Sequence, residues 1–421
     1  MMIRKMAGVI ASWMCLSVYG APASATQPDP PPQVCVNNHC VSTPSPGGPT
    51  AGFGTIKWNP GHYMASDGLM SAGRGLNYIQ FELDDLNNQD AVLGYRAWFT
   101  WGALEPTQGN YDFSVVDAML ARLKTAYNKP KRLVIGLWIY GQHALGRNDG
   151  STIPLYIQQN PAYGASPVGG SFGWWGQNAN GASTGLYAPA LYNPAVMNRF
   201  IALVQALGKH LDGEPYFEAL VIQEDAAIAQ AASFFSNPDP QYSDAAWLTQ
   251  LQRVLTAATA AFPHTSVVEQ NSFFNRPTSA VALEQWMATN RISAGSADTA
   301  GQSSLSTHGT TIISDGMQTY LGVDSNGGLT DLRPNMRAMM EIQSPDMVGA
   351  YFNNVGGPWT PMDFIQALNQ TYFASHAFWT HLAGTEVFNG YSVPAAMKWS
   401  NLAATLAANP LIHTGYPANY P

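Results

Sequence analysis

The chain has 421 residues, of which 46% are hydrophobic and 11% charged, ample apolar material for a large core in one big domain. Its formal net charge is −8, and loss of Arg4 and Lys5 with an N-terminal leader takes −8 to −10. Such an acidic, lysine-poor surface argues against nucleic acid or an anionic membrane as partner.

Arg4-Lys5, an apolar segment from Met6 to Tyr19 and the small residues Ala23-Ser24-Ala25 form the pattern of a secretory signal, with cleavage expected after Ala25. A secreted or periplasmic product is therefore expected, with no membrane association after cleavage, because no later stretch reaches about 18 uninterrupted apolar residues. Residues 26–53 hold Pro28-Asp29-Pro30-Pro31-Pro32 and Thr43-Pro44-Ser45-Pro46-Gly47-Gly48-Pro49, a density of Pro and Gly that makes an arm and not a core. Cys15 falls inside the leader. Cys35 and Cys40, five positions apart in an oxidising compartment, predict a small-loop disulfide.

The folded domain is expected over 54–421, where strand-like and helix-like stretches alternate. Thr55-Ile56-Lys57-Trp58 reads as the first strand and runs into His62 and Tyr63. Ala91 to Phe99 reads as the second, followed by a helix from Ser114 that places Val115, Val116, Met119, Leu120 and Leu123 at helical spacing. Arg132 to Ile139 is the third strand. The connection from Gly141 to Tyr192 is far longer than usual and carries Trp174 and Trp175 among many Gly and Asn, so it is expected to wall a binding cleft. Asn193-Pro194 then opens a helix.

The stretch Phe217 to Ile228, an apolar run that stops abruptly on acidic side chains, reads as a fourth strand buried on both faces with Glu224 at its C-terminal end. A helix from Ser243 follows. Thr265 to Glu269 is the fifth strand, Ile292 to Asp298 a weak sixth, and Arg337 to Gln343 the seventh. A helix from Pro361 to Ser375 leads to the eighth strand, His376 to Leu382, and Val393 to Ala408 closes the chain as a helix. No clean helix is evident between Thr299 and Pro334, so the sixth connection departs from the repeat. Eight such units predict an α/β protein, a (β/α)8 TIM barrel, whose chemistry belongs at the C-terminal ends of its strands.

Two acids then occupy informative places. Glu224 stands at the end of strand four and Glu341 ends strand seven, and a carboxyl pair facing across a barrel mouth is the constellation that cleaves a glycosidic bond. The apolar neighbours Val221, Ile222, Ala226 and Ala227 suit Glu224 to hold a proton. Arg96 on strand two is a candidate counter-charge for Glu341, or else part of a structural ion pair. His62, Tyr63 and Trp138 sit at expected strand ends, where they would bind hydroxyls or stack on rings, or else simply pack.

The passage Trp101-Gly102-Ala103-Leu104-Glu105-Pro106-Thr107-Gln108-Gly109-Asn110-Tyr111-Asp112-Phe113, taken with the acids at strands four and seven and the Trp of strand eight, resembles the retaining glycoside hydrolases of clan A, barrels that include cellulases, β-mannanases and β-galactosidases. The resemblance covers most of residues 53 to 409. It implies a β-glycoside hydrolase acting on a polysaccharide or oligosaccharide, with Glu224 as acid/base, Glu341 as nucleophile and Trp379 beneath the cleaved sugar. Many members place Asn before the acid/base, where this chain has Gln223, an amide that still reaches a sugar hydroxyl.

Glu269 is the main rival acid, with Asp225, Asp298 and Glu105 behind it. The nine His are scattered, and there is no phosphate-binding glycine loop and no Gly-x-Ser-x-Gly elbow, so neither metal nor cofactor is expected. A non-catalytic carbohydrate-binding barrel is the alternative.

Overall fold

The computed structural model describes residues 34–36, 39–41, 56–70, 73–127, 129–138, 152–163, 171–174, 186–223, 242–272, 277–323, 328–349, 359–388, 390–413, 415, 417 and 420. Eight strands close into one parallel barrel. They are β1 (Gly61–Met70), β2 (Val92–Thr100), β3 (Arg132–Trp138), β4 (Phe217–Ile222), β5 (Ser266–Gln270), β6 (Ile292–Ser296), β7 (Ala338–Ile342) and β8 (Ala374–Thr380), and β8 pairs with β1 to complete the ring. The (β/α)8 expectation is met. Seven strands fall within about two residues of their expected bounds.

The first strand is a correction. Ile56, Lys57 and Trp58 are not in the barrel wall; they run beneath it, with the Lys57 N–H donating to His264 O and its Nζ to the carbonyls of Asp212 and Glu214. The real β1 was hidden because its register shifts between Ala65 and Leu69, which breaks the strict alternation a strand pattern needs. His62 and Tyr63 therefore lie at the start of β1, the floor of the barrel and not its mouth.

Register settles which side chains face inward. Arg96 is level with Ala65 and Val134, Trp98 with Gly136, Val221 with Gly136 and Val268, Gly295 with Gln270 and Met339, and Glu341 with Phe378. Because alternate residues point to opposite faces, Arg96, Trp98, Val134, Gly136, Val221, Val268, Gln270, Glu341 and Phe378 share the interior. Their neighbours Glu269, Ile342 and Trp379 face the helices.

The helical layer follows from caps and apolar stripes. After β2 comes α1 (Ser114–Thr125), which buries Val116, Met119, Leu120 and Leu123. In α2 (Pro194–Leu211), Asn193 caps the Ala195 N–H, Pro194 takes the first turn, and Val196, Phe200, Leu203, Val204 and Leu207 face inward as their spacing predicts. Ser243 caps α3 (Asp244–Ala261), which packs on α2 so closely that a Cβ at Gly208 would lie 2.5 Å from the Ala261 carbonyl oxygen. α4 (Pro277–Met287) has no counterpart in the sequence reading. Between β6 and β7 the described residues form the helices Gln302–His308 and Asp315–Tyr320, with a short 3-10 helix at Gly309–Ile312 between them. Thr360 and Asp363 form a capping box on α5 (Pro361–Gln370), and α6 (Trp399–Ala408) closes the layer.

Among the described residues no helix is long and apolar enough to cross a membrane. In the N-terminal arm, Val34–Val36 pairs antiparallel with His39–Val41 and sets Cys35 opposite Cys40. Their side chains, and the leader, lie outside the described residues.

Candidate active site

Glu341 is the centre of the mouth. It is the penultimate residue of β7, faces inward, and is 2% exposed. Arg96, reaching across the interior from β2, donates through Nη2 to Glu341 Oε1, and Gln270 at the end of β5 donates through Nε2 to Oε2 at 3.1 Å. With one donor on each oxygen the carboxyl is held in a single orientation, and the guanidinium supplies its counter-charge. Arg96 is wholly buried and its guanidinium carbon lies 4.2 Å from the Trp98 ring centre. Its Nε and Nη1 have no hydrogen-bond partner among the described residues, leaving donors within the mouth.

Two indoles flank this pair. Trp98 meets Trp138, the last residue of β3, edge to face at 5.4 Å. Gly136 makes that possible, since a Cβ there would come within 2.1 Å of the Trp98 ring. Gln223 continues the inward row of Ala219 and Val221 just past β4 and is fully buried.

A carboxyl cluster joins the mouth from the β6 and β7 loops. Thr299 donates through Oγ1 to the Glu341 carbonyl at 2.6 Å and through its backbone N–H to Asp346 Oδ2 at 3.1 Å. Asp346 Oδ2 also accepts the Gln343 N–H at 2.9 Å, so it ties the two loops together. Burial, and then the charge of Glu341, push Asp298 up to about 7. Burial pushes Asp346 well above the usual carboxylate range, with the charge of Asp298 adding to it.

Of the residues singled out from sequence, Arg96, Glu341, Gln223, Trp138 and Asp298 converge here. Five do not. Trp379 faces outward, donates its indole N–H to His62 Nδ1 at 3.0 Å and packs edge-on against Phe364 of α5, so it is a wall between barrel and helices and not a platform under a sugar. His62 is buried beside it, with Nε2 2.8 Å from the Asn409 carbonyl, and burial lowers it to about 4. Tyr63 points into the floor, where its hydroxyl donates to Asn59 O at 2.8 Å. Alternation also removes Glu269 from the mouth, because it faces the helices while its neighbour Gln270 faces in.

Glu105 is structural as well. It accepts the Trp101 indole N–H and the Gly109 N–H, each at 2.8 Å, and pairs with Arg199 of α2, which explains the spacing of the Trp-x-x-x-Glu-Pro passage. Glu224, Asp225 and Trp175 lie outside the described residues. Trp174 ends one strand of an antiparallel pair, Ser171–Trp174 with Leu186–Pro189, and only its backbone is described.

Trp98, Gln270, Thr299 and Asp346 were missed. Trp98 is two residues beyond Arg96 and thus on the same face, and Gln270 is one beyond Glu269, so a correct alternation would have found both. Thr299 and Asp346 are loop residues with no such signal. Among the described residues no group of three His, Cys, Asp or Glu could hold a metal ion.

No protein-family model matches the sequence, and no curated protein is matched. Solved structures do resemble it. A GH5_18 protein from Streptomyces cattleya in complex with Manβ1-4GlcNAc is 13% identical, with 86% of this chain and 83% of that chain covered and a TM-score of 0.48. The cold-adapted β-galactosidase from Rahnella sp. is 11% identical over 86% and 56%, at a TM-score of 0.43. A psychrophilic family 10 endo-β-1,4-xylanase is 11% identical over 76% and 86%, at 0.40. The chemistry below is read from the site's own residues.

Proposed function

We propose that this protein is a retaining β-glycoside hydrolase of the clan A type, acting on a polysaccharide or oligosaccharide. One observation carries the reading: an inward carboxyl, Glu341, stands at the mouth end of β7 with a donor on each oxygen, three strands round the barrel from β4, whose exit carries Gln223 and then Glu224. Glu341 is the nucleophile. Oriented by Arg96 and Gln270, it attacks the anomeric carbon while Glu224 protonates the departing glycosidic oxygen, leaving a glycosyl-enzyme ester. Glu224, now ionised, takes a proton from water, the water attacks the same carbon, and the sugar leaves with its configuration retained. Trp98 and Trp138 offer apolar ring faces beside the pair, suited to the C–H faces of a sugar.

Export and a Cys35–Cys40 disulfide belong to the same proposal. The leader pattern supports the first, placing the mature protein outside the cell or in the periplasm, and the facing positions of the two cysteines support the second. No nucleic acid, membrane or cofactor is part of it.

The test is a panel of plant and bacterial poly- and oligosaccharides followed by released reducing ends, with the product anomer read by NMR. Hydrolysis with retained configuration is expected, and inversion would refute the nucleophile. A non-catalytic carbohydrate-binding barrel is the second reading, favoured by Gln223 standing where Asn is common. Binding to a glycan with no reducing ends released would establish it.

A further inference from the structure

We propose that Asp298 is a positioning residue of this mouth, a proton-carrying third carboxyl that leaves Glu341 as the charged acid facing Arg96. The inference rests on the reading of Glu341 as nucleophile. Its geometric basis is a clamp on both sides of Asp298. Ser296 Oγ donates to the Asp298 carbonyl at 2.6 Å and accepts the Asp298 N–H at 3.2 Å, while the next residue, Thr299, is bonded to the Glu341 carbonyl and to Asp346. The Asp298 backbone is thereby locked between the exits of β6 and β7. Its side chain is half-buried, yet Oδ1 is shut from solvent and has no hydrogen-bond partner among the described residues.

Two negative groups act on it, Glu341 on β7 and Asp346 in the loop beyond it, while Arg96 of β2 and the neutral amide of Gln270 of β5 are both bonded to Glu341. Of these three carboxyls only Glu341 meets a guanidinium. Arg96 is committed to Glu341, and the two spare nitrogens of that wholly buried guanidinium mark the place as one with unmet donors and not a closed ion pair. Like charges this close cannot all persist away from water, so protons remain on the acids that Arg96 does not serve. Asp298, pushed up to about 7, gives up its proton nearest the working range and closes from above the pH window in which the mouth has a single charged acid.

The test is a carbon NMR titration of protein labelled at its aspartate carboxyls, which needs no turnover. The wild type should show a carboxyl with a midpoint near 7, absent in Asp298→Asn. In Glu341→Gln that midpoint should fall by about one unit or more, since a negative neighbour has gone, a change that a merely structural aspartate would not show. Asp298→Ser serves if the Asn variant does not fold. A midpoint that survives substitution of Asp298, or stays put in Glu341→Gln, overturns the inference. On an activated aryl glycoside, kcat/KM of Asp298→Asn should lose the wild-type inflection near 7 and keep its acidic limb in place. Absence of wild-type turnover on every glycoside would count against the hydrolase reading alone, with the NMR titration still deciding Asp298.

Discussion

The two ends of the barrel each bury an ion pair, and they treat it in opposite ways. At the floor, Glu218 is fully buried and accepts from the Asn59 N–H at 3.0 Å, Asn59 Nδ2 at 2.7 Å and Arg132 Nη1 at 3.3 Å, with His376 Nε2 3.2 Å away. Its desolvation is outweighed by His376, Arg132 and Asn59, which together bring it down to about 2. At the mouth, Glu341 has two donors, Arg96 keeps unmet nitrogens, and Asp298 is pushed up to about 7. A buried polar group with its partners in place is scaffold, whereas unmet donors and displaced protonation at the C-terminal end of parallel strands belong to a site that expects a ligand.

The sharpest way to break this contrast is to neutralise one carboxylate at each end. Glu341→Gln, like Glu224→Gln, should cut hydrolysis by about a thousandfold or more while the protein stays folded, read as initial rates of reducing-end release beside circular dichroism. Near wild-type rates in either purified variant would remove that residue from the mechanism. Glu218→Gln should do the reverse, costing about 3 to 5 kcal/mol in denaturant unfolding by leaving charged partners uncompensated, with kcat per folded molecule little changed. A stability loss below about 1 kcal/mol would mean that the floor network is not the anchor its geometry suggests.

Acid should expose the same asymmetry. Because Glu218 titrates at about 2 in the fold against 4.5 ordinarily, its stabilisation is present above 4.5 and lost as pH falls towards 2. His376, lowered mainly by burial, adds in the same direction, since the unfolded chain takes its proton first. Unfolding free energy should therefore fall more steeply below pH 4.5 in the wild type than in Glu218→Gln. Parallel slopes would contradict this. At the mouth, Arg96→Gln removes the counter-charge of Glu341 and should move the acidic limb of kcat/KM up by roughly one to three pH units. An unmoved limb would assign it to another group.

The smallest expected effect sharpens a correction. Trp379→Phe should lower stability by about 1 to 3 kcal/mol, through lost packing on Phe364 and the lost bond to His62, and leave KM for an oligosaccharide unchanged. A large rise in KM with unchanged stability would return Trp379 to the sugar site.

Apolar runs, caps and spacing were enough to determine the barrel and to place an acid at the exits of β4 and β7, since a strand buried on both faces and an amphipathic helix both write their period into the chain. Asn193, Ser243 and the Pro361 start announced three helices because a cap is a local interaction. Parity was not legible in the same way. In a strand with both faces buried, Phe378 and Trp379, or Glu269 and Gln270, are equally acceptable on either side, and only closure of the ring through its register decides which of each pair looks inward. The shifted register of β1 likewise moved His62 and Tyr63 to the floor. The meeting of Asp298, Asp346 and Thr299 with Glu341 depends on two loop exits more than forty residues apart being brought side by side by the pairing of β6 with β7, a contact that tertiary structure alone creates.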